Sequence, residues 1–167
     1  MDSRTQRLYN GFAWKIQKGA FLVSKEHTSF RYDHVGSFLR PAKLKWARLD
    51  FQAGKIDAAA LKAVEDEAIV DLVHKQQKAG YHAITDGEFR RATWHLDFMW
   101  GFNGVGHTPP KTGLPFHGEA AMIDDTYLTG KVSLDTHPFV EHFKFVKALE
   151  DENGVAKLTI PAPAQFI

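Results

Sequence analysis

The chain contains no cysteine. Disulfide bonds and thiol chemistry by its own side chains are therefore excluded, and any metal site would have to be built from His, Asp and Glu. The absence is compatible with a cytoplasmic location. Long apolar runs are also missing: nothing approaches the roughly 18 residues that a membrane-spanning helix needs. Nor is there a surplus of charge of one sign. Lys and Arg number 21 against 20 Asp and Glu, a formal net charge of +1. Nucleic-acid binding would call for a basic stripe, and none is visible. Residues 1–27 lack the unbroken apolar stretch of a signal peptide, because Lys15, Gln17 and Lys18 interrupt GFAWKIQKGAFLV. That segment reads as a poorly ordered leader or a gene-fusion remnant, with a short basic amphipathic helix as the other reading.

What the chain does have is enough material for one domain with a real core: 167 residues, 44% of them hydrophobic. Regular organisation begins near residue 31. Residues 33–37 read as a short buried strand, and Pro41 suits the first turn of a helix. AKLKWARLDFQAG places Leu44, Ala47 and Phe51 on one face, with Gly54 ending the helix. Asp57 is a good N-cap. Beyond it Leu61, Val64, Ala68 and Leu72 recur at helical spacing, widened by Ile69 and Val73. Gly80 stops that helix.

YHAIT (residues 81–85) reads as a second strand. Two strands separated by helical pattern cannot form a hairpin, so a parallel pair joined by a crossover is expected. RRATWHLDFMWGF suggests a short aromatic helix. The glycines and prolines of residues 103–118 suggest a long inserted loop, and residues 126–135 an extended segment. Pro138 opens a further helix with Phe139, Phe143, Val146 and Leu149 on one side. Asn153-Gly154 is a turn, and AKLTIPAP reads as a third strand. The expected class is α/β with a parallel sheet. The chain stops within a few residues of that third strand, so the sequence reads as unfinished at its C-terminus, with an unpaired sheet edge.

In parallel α/β folds, ligands bind beyond the carboxyl ends of the strands. That rule gathers Gly36-Ser37, Asp86-Gly87-Glu88 and Pro161-Ala162-Pro163 on one face. Gly36 permits close backbone approach. Ser37 offers a hydroxyl and a main-chain N–H suited to a carboxylate, and Glu88 a negative charge suited to an ammonium. Together they would hold an α-amino acid. Each residue also has a plainer role open to it. Ser37 could simply cap a helix, Asp86-Gly87 could be an ordinary turn, and Glu88 could be solvated or paired with Arg90 or Arg91. His34 could be a hydrogen-bonded buried histidine. His95 and Asp97 have no metal-ligand spacing, and no metal motif emerges from the nine histidines. Trp94, Phe98, Met99 and Trp100 suggest core or a pocket wall.

DHVGSFLRP, ITDGEFRRATWHLDF, GKVSLDTHPFVEHFKFVKAL and KLTIPAPAQF, taken together and in order, resemble the cobalamin-independent methionine synthase family, most closely its short, single-barrel bacterial members. The resemblance covers about residues 28–167 and leaves out the leader. It implies a (β/α)8 TIM barrel related to uroporphyrinogen decarboxylase, here roughly the first three strands with their helices and a long inserted loop. It implies methyl transfer to the thiol of homocysteine, as in a 5-methyltetrahydropteroyltriglutamate–homocysteine S-methyltransferase. The donor stays open: methyltetrahydrofolate or a related carrier.

By the same resemblance, Val35, Gly36 and Ser37 correspond to the homocysteine-binding backbone and serine, and Glu88 to the glutamate that holds the amino group. His34, Asp86, Arg90 and Trp94 are further pocket candidates. The family's zinc is held by a His, two Cys and an acidic residue from later strands. This chain has no cysteine, so no zinc ligand and no catalytic residue can be carried over. PAPAQ also departs from the usual PSP form. The expectation is a fragment carrying the amino-acid-binding half of the site, inactive alone. The alternatives are a non-catalytic remnant that binds an amino acid or a complementing chain, or another barrel enzyme such as a decarboxylase or a corrinoid-dependent methyltransferase.

Overall fold

A computed structural model describes residues 34–110, 114–116, 119–121 and 123–162. The expected leader, 1–27, lies outside the described residues, as do Asp33 and Pro163. The first helix, α1 (Ala42–Gln52), follows Pro41, which occupies the cap position with an extended ψ of 151° and no side-chain cap bond. Leu44 and Ala47 are buried, as their spacing predicts, but Phe51 is 42% exposed. Gly54, with φ of 69°, terminates the helix. α2 (Ala58–Lys78) opens on Asp57, whose side chain accepts from the Ala60 N–H at 2.8 Å. Its buried side carries Ile69, Leu72 and Val73 together with two polar residues, Glu65 and Gln76. Gln76 bonds the Thr85 backbone as a strand neighbour would: it donates to the Thr85 carbonyl at 2.8 Å and accepts the Thr85 N–H at 3.0 Å.

β1 (Ala83–Ile84) follows Gly80 and pairs in parallel with β6 (Val155–Ala156), Ala83 opposite Val155 and Ile84 opposite Ala156. The parallel pair expected from the sequence, 33–37 with 81–85, is not the one formed among the described residues: β1 pairs instead with the third expected strand. Of the expected strand at 33–37, none of the described residues, 34–37, pairs in a ladder. Gly36 has φ of 89°, which breaks an extended run, and Val35 is 78% exposed rather than buried. The segment docks by other bonds: Lys157 Nζ donates to the His34 carbonyl at 2.6 Å, and Phe38 N–H donates to the Gly87 carbonyl at 3.1 Å. The fold is mixed α/β, with a two-stranded parallel pair among the described residues where a three-stranded sheet was expected.

The aromatic segment after β1 forms a single helical turn, α3 (Leu96–Met99). The predicted long loop is largely strand. β2 (Asn103–Thr108) pairs antiparallel with β5 (Asp125–Ser133), and β3 (Leu114–Phe116) with β4 (Glu119–Ala121). Two of the glycines that suggested loop, Gly104 and Gly106, serve the ribbon instead. Gly104, with φ of 78°, sits at a register shift between Asn103 and Val105. A Cβ on Gly106 would lie 2.9 Å from Thr129 Cγ2 and 3.0 Å from the Tyr127 ring. α4 (Pro138–Lys147) starts with proline in its first turn as expected, and the His137 ring accepts the Phe139 N–H at 3.1 Å. Its Val146 joins Leu44, Ile69, Leu72, Val73, Ile84 and Phe89 in one buried cluster. The core thus lies between the helices and β1, and it fixes the turn that leaves β1.

Candidate functional site

That turn is residues 85–91. Thr85 Oγ1 accepts the Gly87 N–H at 3.0 Å, and Asp86 Oδ1 accepts the Glu88 N–H at 2.9 Å. Both are local side-chain substitutes for a backbone turn. Gly87 has φ of 64°, and Glu88, at 57°, is the sole non-glycine residue with positive φ among those described. Left-handed geometry costs an ordinary L-residue roughly 1–2 kcal/mol. A Cβ on Gly87 would collide with the Leu72 side chain and approach Phe89 and Phe38.

Guanidinium groups hold the turn's carbonyls from outside. Arg40 Nη2 donates to the Glu88 and Arg91 carbonyls at 3.0 and 2.7 Å, and Arg48 to the Phe89 carbonyl. Arg91 donates to the carbonyls of Trp94 and Thr159, at 3.3 and 2.6 Å. Asp97, from α3, accepts the Ala92 and Thr93 N–H groups at 2.9 and 2.7 Å.

The Glu88 carboxylate is buried, 6% exposed for the whole residue. Its Oε1 accepts from the Thr159 hydroxyl at 3.0 Å and from Arg91 Nη1 at 3.3 Å. Oε2 has no partner among the described residues. Glu88, Val35, Gly36 and Trp94 line one cavity of about 500 Å³, completed by Arg91, Leu158, Thr159, Ile160 and Pro161. The wall is apolar apart from Glu88, Arg91 and Thr159. The Glu88–Arg91 pair is internally neutral. An uncommitted carboxylate oxygen in an apolar cavity suits a ligand cation, which would form a charge-assisted hydrogen bond there.

The sequence-predicted residues separate into groups. Val35, Gly36, Glu88 and Trp94 meet at the cavity. Ser37 is exposed next to them and is not in the lining. It also does not cap α1, whose cap position belongs to Pro41. Asp86 lies behind the turn, buried, with Oδ2 unpartnered. His34 stacks on Phe38 at 3.7 Å, and its Nε2 is buried without a partner. Arg90 turns away altogether. It pairs with Glu65 at 3.2 Å and with Asp66, lies over the Phe145 ring, and lines a separate groove with Lys62 and His142.

Arg90 and Arg48 face Glu65, but burial outweighs them and raises its pKa. Burial opposes ionisation of Asp66 as well, yet the hydrogen bonds from Lys62 and Arg90 bring its pKa below the ordinary value. His142 is pushed down to about 4 by burial, and then by the positive field of Arg90, Arg91 and Lys62.

Arg91, which the sequence offered only as a possible partner of Glu88, and Thr159, which it did not single out, also line the cavity. Among the described residues no group of three or more His, Asp or Glu could hold a metal ion. The zinc that the resemblance implies has no fitting ligand set among these described residues.

The chain is homologous to the cobalamin-independent methionine synthases. It is 41% identical to a candidate vitamin-B12-independent methionine synthase from Listeria monocytogenes of known crystal structure, with a TM-score of 0.67 over 82% of this chain and 37% of that one. It is 37% identical over 141 residues to the uncharacterized protein YxjG of Bacillus subtilis (strain 168), spanning 84% of this chain and 37% of YxjG. It is 28% identical over 146 residues to the methionine synthase of Sulfolobus acidocaldarius, spanning 84% of this chain and 40% of that protein. The chain thus spans little more than a third of the length of the relatives it matches. No family model matches it.

Proposed function

We propose that this chain supplies the amino-acid-recognition part of a methionine-synthase-like (β/α)8 barrel, with the 34–37 segment, β1 and β6 lying along its first strands. The observation that carries the reading is the buried Glu88 carboxylate, with one oxygen uncommitted, facing the same cavity as Val35 and Gly36. Glu88 takes the ammonium of an α-amino acid. The backbone at Gly36-Ser37 and the Ser37 hydroxyl take its carboxylate, which requires Ser37 to turn inward from its exposed position. Trp94, Leu158 and Ile160 wall the side chain of a homocysteine-like ligand. In the whole enzyme the reaction is methyl transfer to that ligand's thiol. Zinc, where bound, would supply the thiolate. The residues described here bind and orient, so this chain alone does not transfer methyl groups. Calorimetric titration of L-homocysteine into the purified chain tests the first part, and failure to bind would sink it. Zinc-dependent formation of methionine from methyltetrahydrofolate by the chain alone would sink the second.

A second reading concerns partners. Val35 and Ile160, which line the cavity, are 78% and 60% exposed, and Leu39 is 94% exposed. The β1–β6 pair has no third strand among the described residues. Further barrel strands, in the same polypeptide or in a complementing chain, would cover this surface. A ligand-free, folded monomer in sedimentation that ignores such strands would count against it.

A further inference from the structure

We propose that Asp86 is the positioning residue that delivers the Glu88 carboxylate to the cavity, its Oδ1 locking the Glu88 amide in a left-handed backbone. The inference rests on the reading of the cavity as an amino-acid holder. It adds a residue whose role is to set the geometry of another.

The argument begins with the backbone. Glu88 holds φ of 57° directly after Gly87 at 64°. Two successive left-handed residues reverse the chain as it leaves β1. The reversal brings the Glu88 side chain beside Thr159, at the end of the neighbouring β6 segment. Glu88 thereby shares the cavity with Leu158 and Ile160. A side-chain-bearing residue stays in this region only where its surroundings over-determine it. Arg40 fixes the Glu88 carbonyl from one side. The Gly87–Glu88 peptide plane, from which the Glu88 Cα departs, is fixed by where its N–H points, and that N–H goes to Asp86 Oδ1 at 2.9 Å.

The cost of Asp86 argues the same way. The residue is 3% exposed, and its Oδ2 is buried with no partner. A carboxylate buried with half its acceptors unused is unfavourable. Its side chain makes one recorded hydrogen bond, and that bond goes to the amide of the residue that faces the ligand. Asn presents the same Oδ1 and keeps the bond. Ala removes it.

The test uses the full 167-residue chain, isotopically labelled, as wild type, Asp86→Asn and Asp86→Ala. Amide hydrogen exchange at Glu88 is read by NMR, with the core residue Ile69 as internal reference, and L-homocysteine binding is read by calorimetry. In D86A the Glu88 amide should exchange about tenfold faster or more, and binding should weaken by a similar factor, with Ile69 unchanged. D86N should restore both to within about threefold. An unchanged Glu88 exchange rate in D86A overturns the proposal. So does D86N failing as badly as D86A, which would assign the role to charge instead of the hydrogen bond. If D86A loosens the whole fold, Ile69 exchange rises too, and D86N alone decides: retained protection supports the proposal and lost protection overturns it. If the wild type ignores L-homocysteine while the exchange pattern holds, the amino-acid reading falls and the hold of Asp86 on the turn stands.

Discussion

Glu88 combines a strained backbone, a buried charge and an open oxygen. Replacing Glu88 by Gln keeps its shape and removes the charge that an ammonium would pair with. Binding of L-homocysteine should weaken by roughly 1.5–3 kcal/mol, measured by calorimetry, and unchanged affinity would remove Glu88 from the site. His142 gives a second expectation. Its pKa lies at about 4 in the folded chain against 6.5 ordinarily, so unfolded chains take up the proton first as pH falls. Its contribution to stability is neutral above pH 6.5 and increasingly unfavourable from there down to about 4. Melting temperature followed across that interval should fall less steeply in His142→Asn than in the wild type.

That Glu88 and Gly36 would come to one face was legible in the sequence because turn chemistry is local: glycine and acidic residues cluster where the chain turns. Arg91 and Thr159 were not, because their bonds join residues 68 and 71 apart in sequence. The doubled arginine of EFRR was the one available signal, and the sequence does not say which of the two turns inward. Arg90 faces the helices, and Arg91 the cavity.

At the scale of elements, α1, α2 and α4 follow their apolar period and their caps. The His137 ring bonded to the Phe139 N–H makes a further cap that the sequence did not suggest, since Pro138 already marked the helix start. His137→Ala should cost about 1 kcal/mol in chemical denaturation. The ribbon of β2 and β5 was hidden for a physical reason. Glycine where two strands approach closely looks, in sequence, the same as glycine in a loop. A Cβ at Gly104 would sit 2.5 Å from the Lys131 carbonyl oxygen, at a φ that disfavours side chains. Gly104→Ala should therefore destabilise the ribbon by at least about 1 kcal/mol, read from the fluorescence of Trp100, which stacks on His107 and bonds to Thr126. The expected strand at 34–37 failed for the converse reason. HVGS has apolar and β-branched character, but its glycine is spent on a left-handed bend, and its first carbonyl bonds to a lysine side chain.

For the whole molecule, a two-stranded parallel pair of two residues each is a small scaffold for a ligand site. Supplying the strands that the relatives carry beyond this stretch should raise the melting temperature and shift sedimentation to a one-to-one complex. Mixing the chain with the remaining portion of the Listeria relative checks this, and the absence of any shift would mean that the exposed surface has another use. A final consequence follows from the way the site turn is tied down. Its carbonyls are fastened mainly by arginines reaching across 48, 51 and 41 residues of sequence, not by a continuous strand ladder. Arg40 brings one nitrogen, Nη2, to both the Glu88 and Arg91 carbonyls, and the rigid planar fork that carries it differs from the flexible, strongly hydrated ammonium of lysine. Swaps that preserve charge at Arg40, Arg48 and Arg91 are thus among the least tolerated changes this chain could accept, although two of the three never touch the cavity.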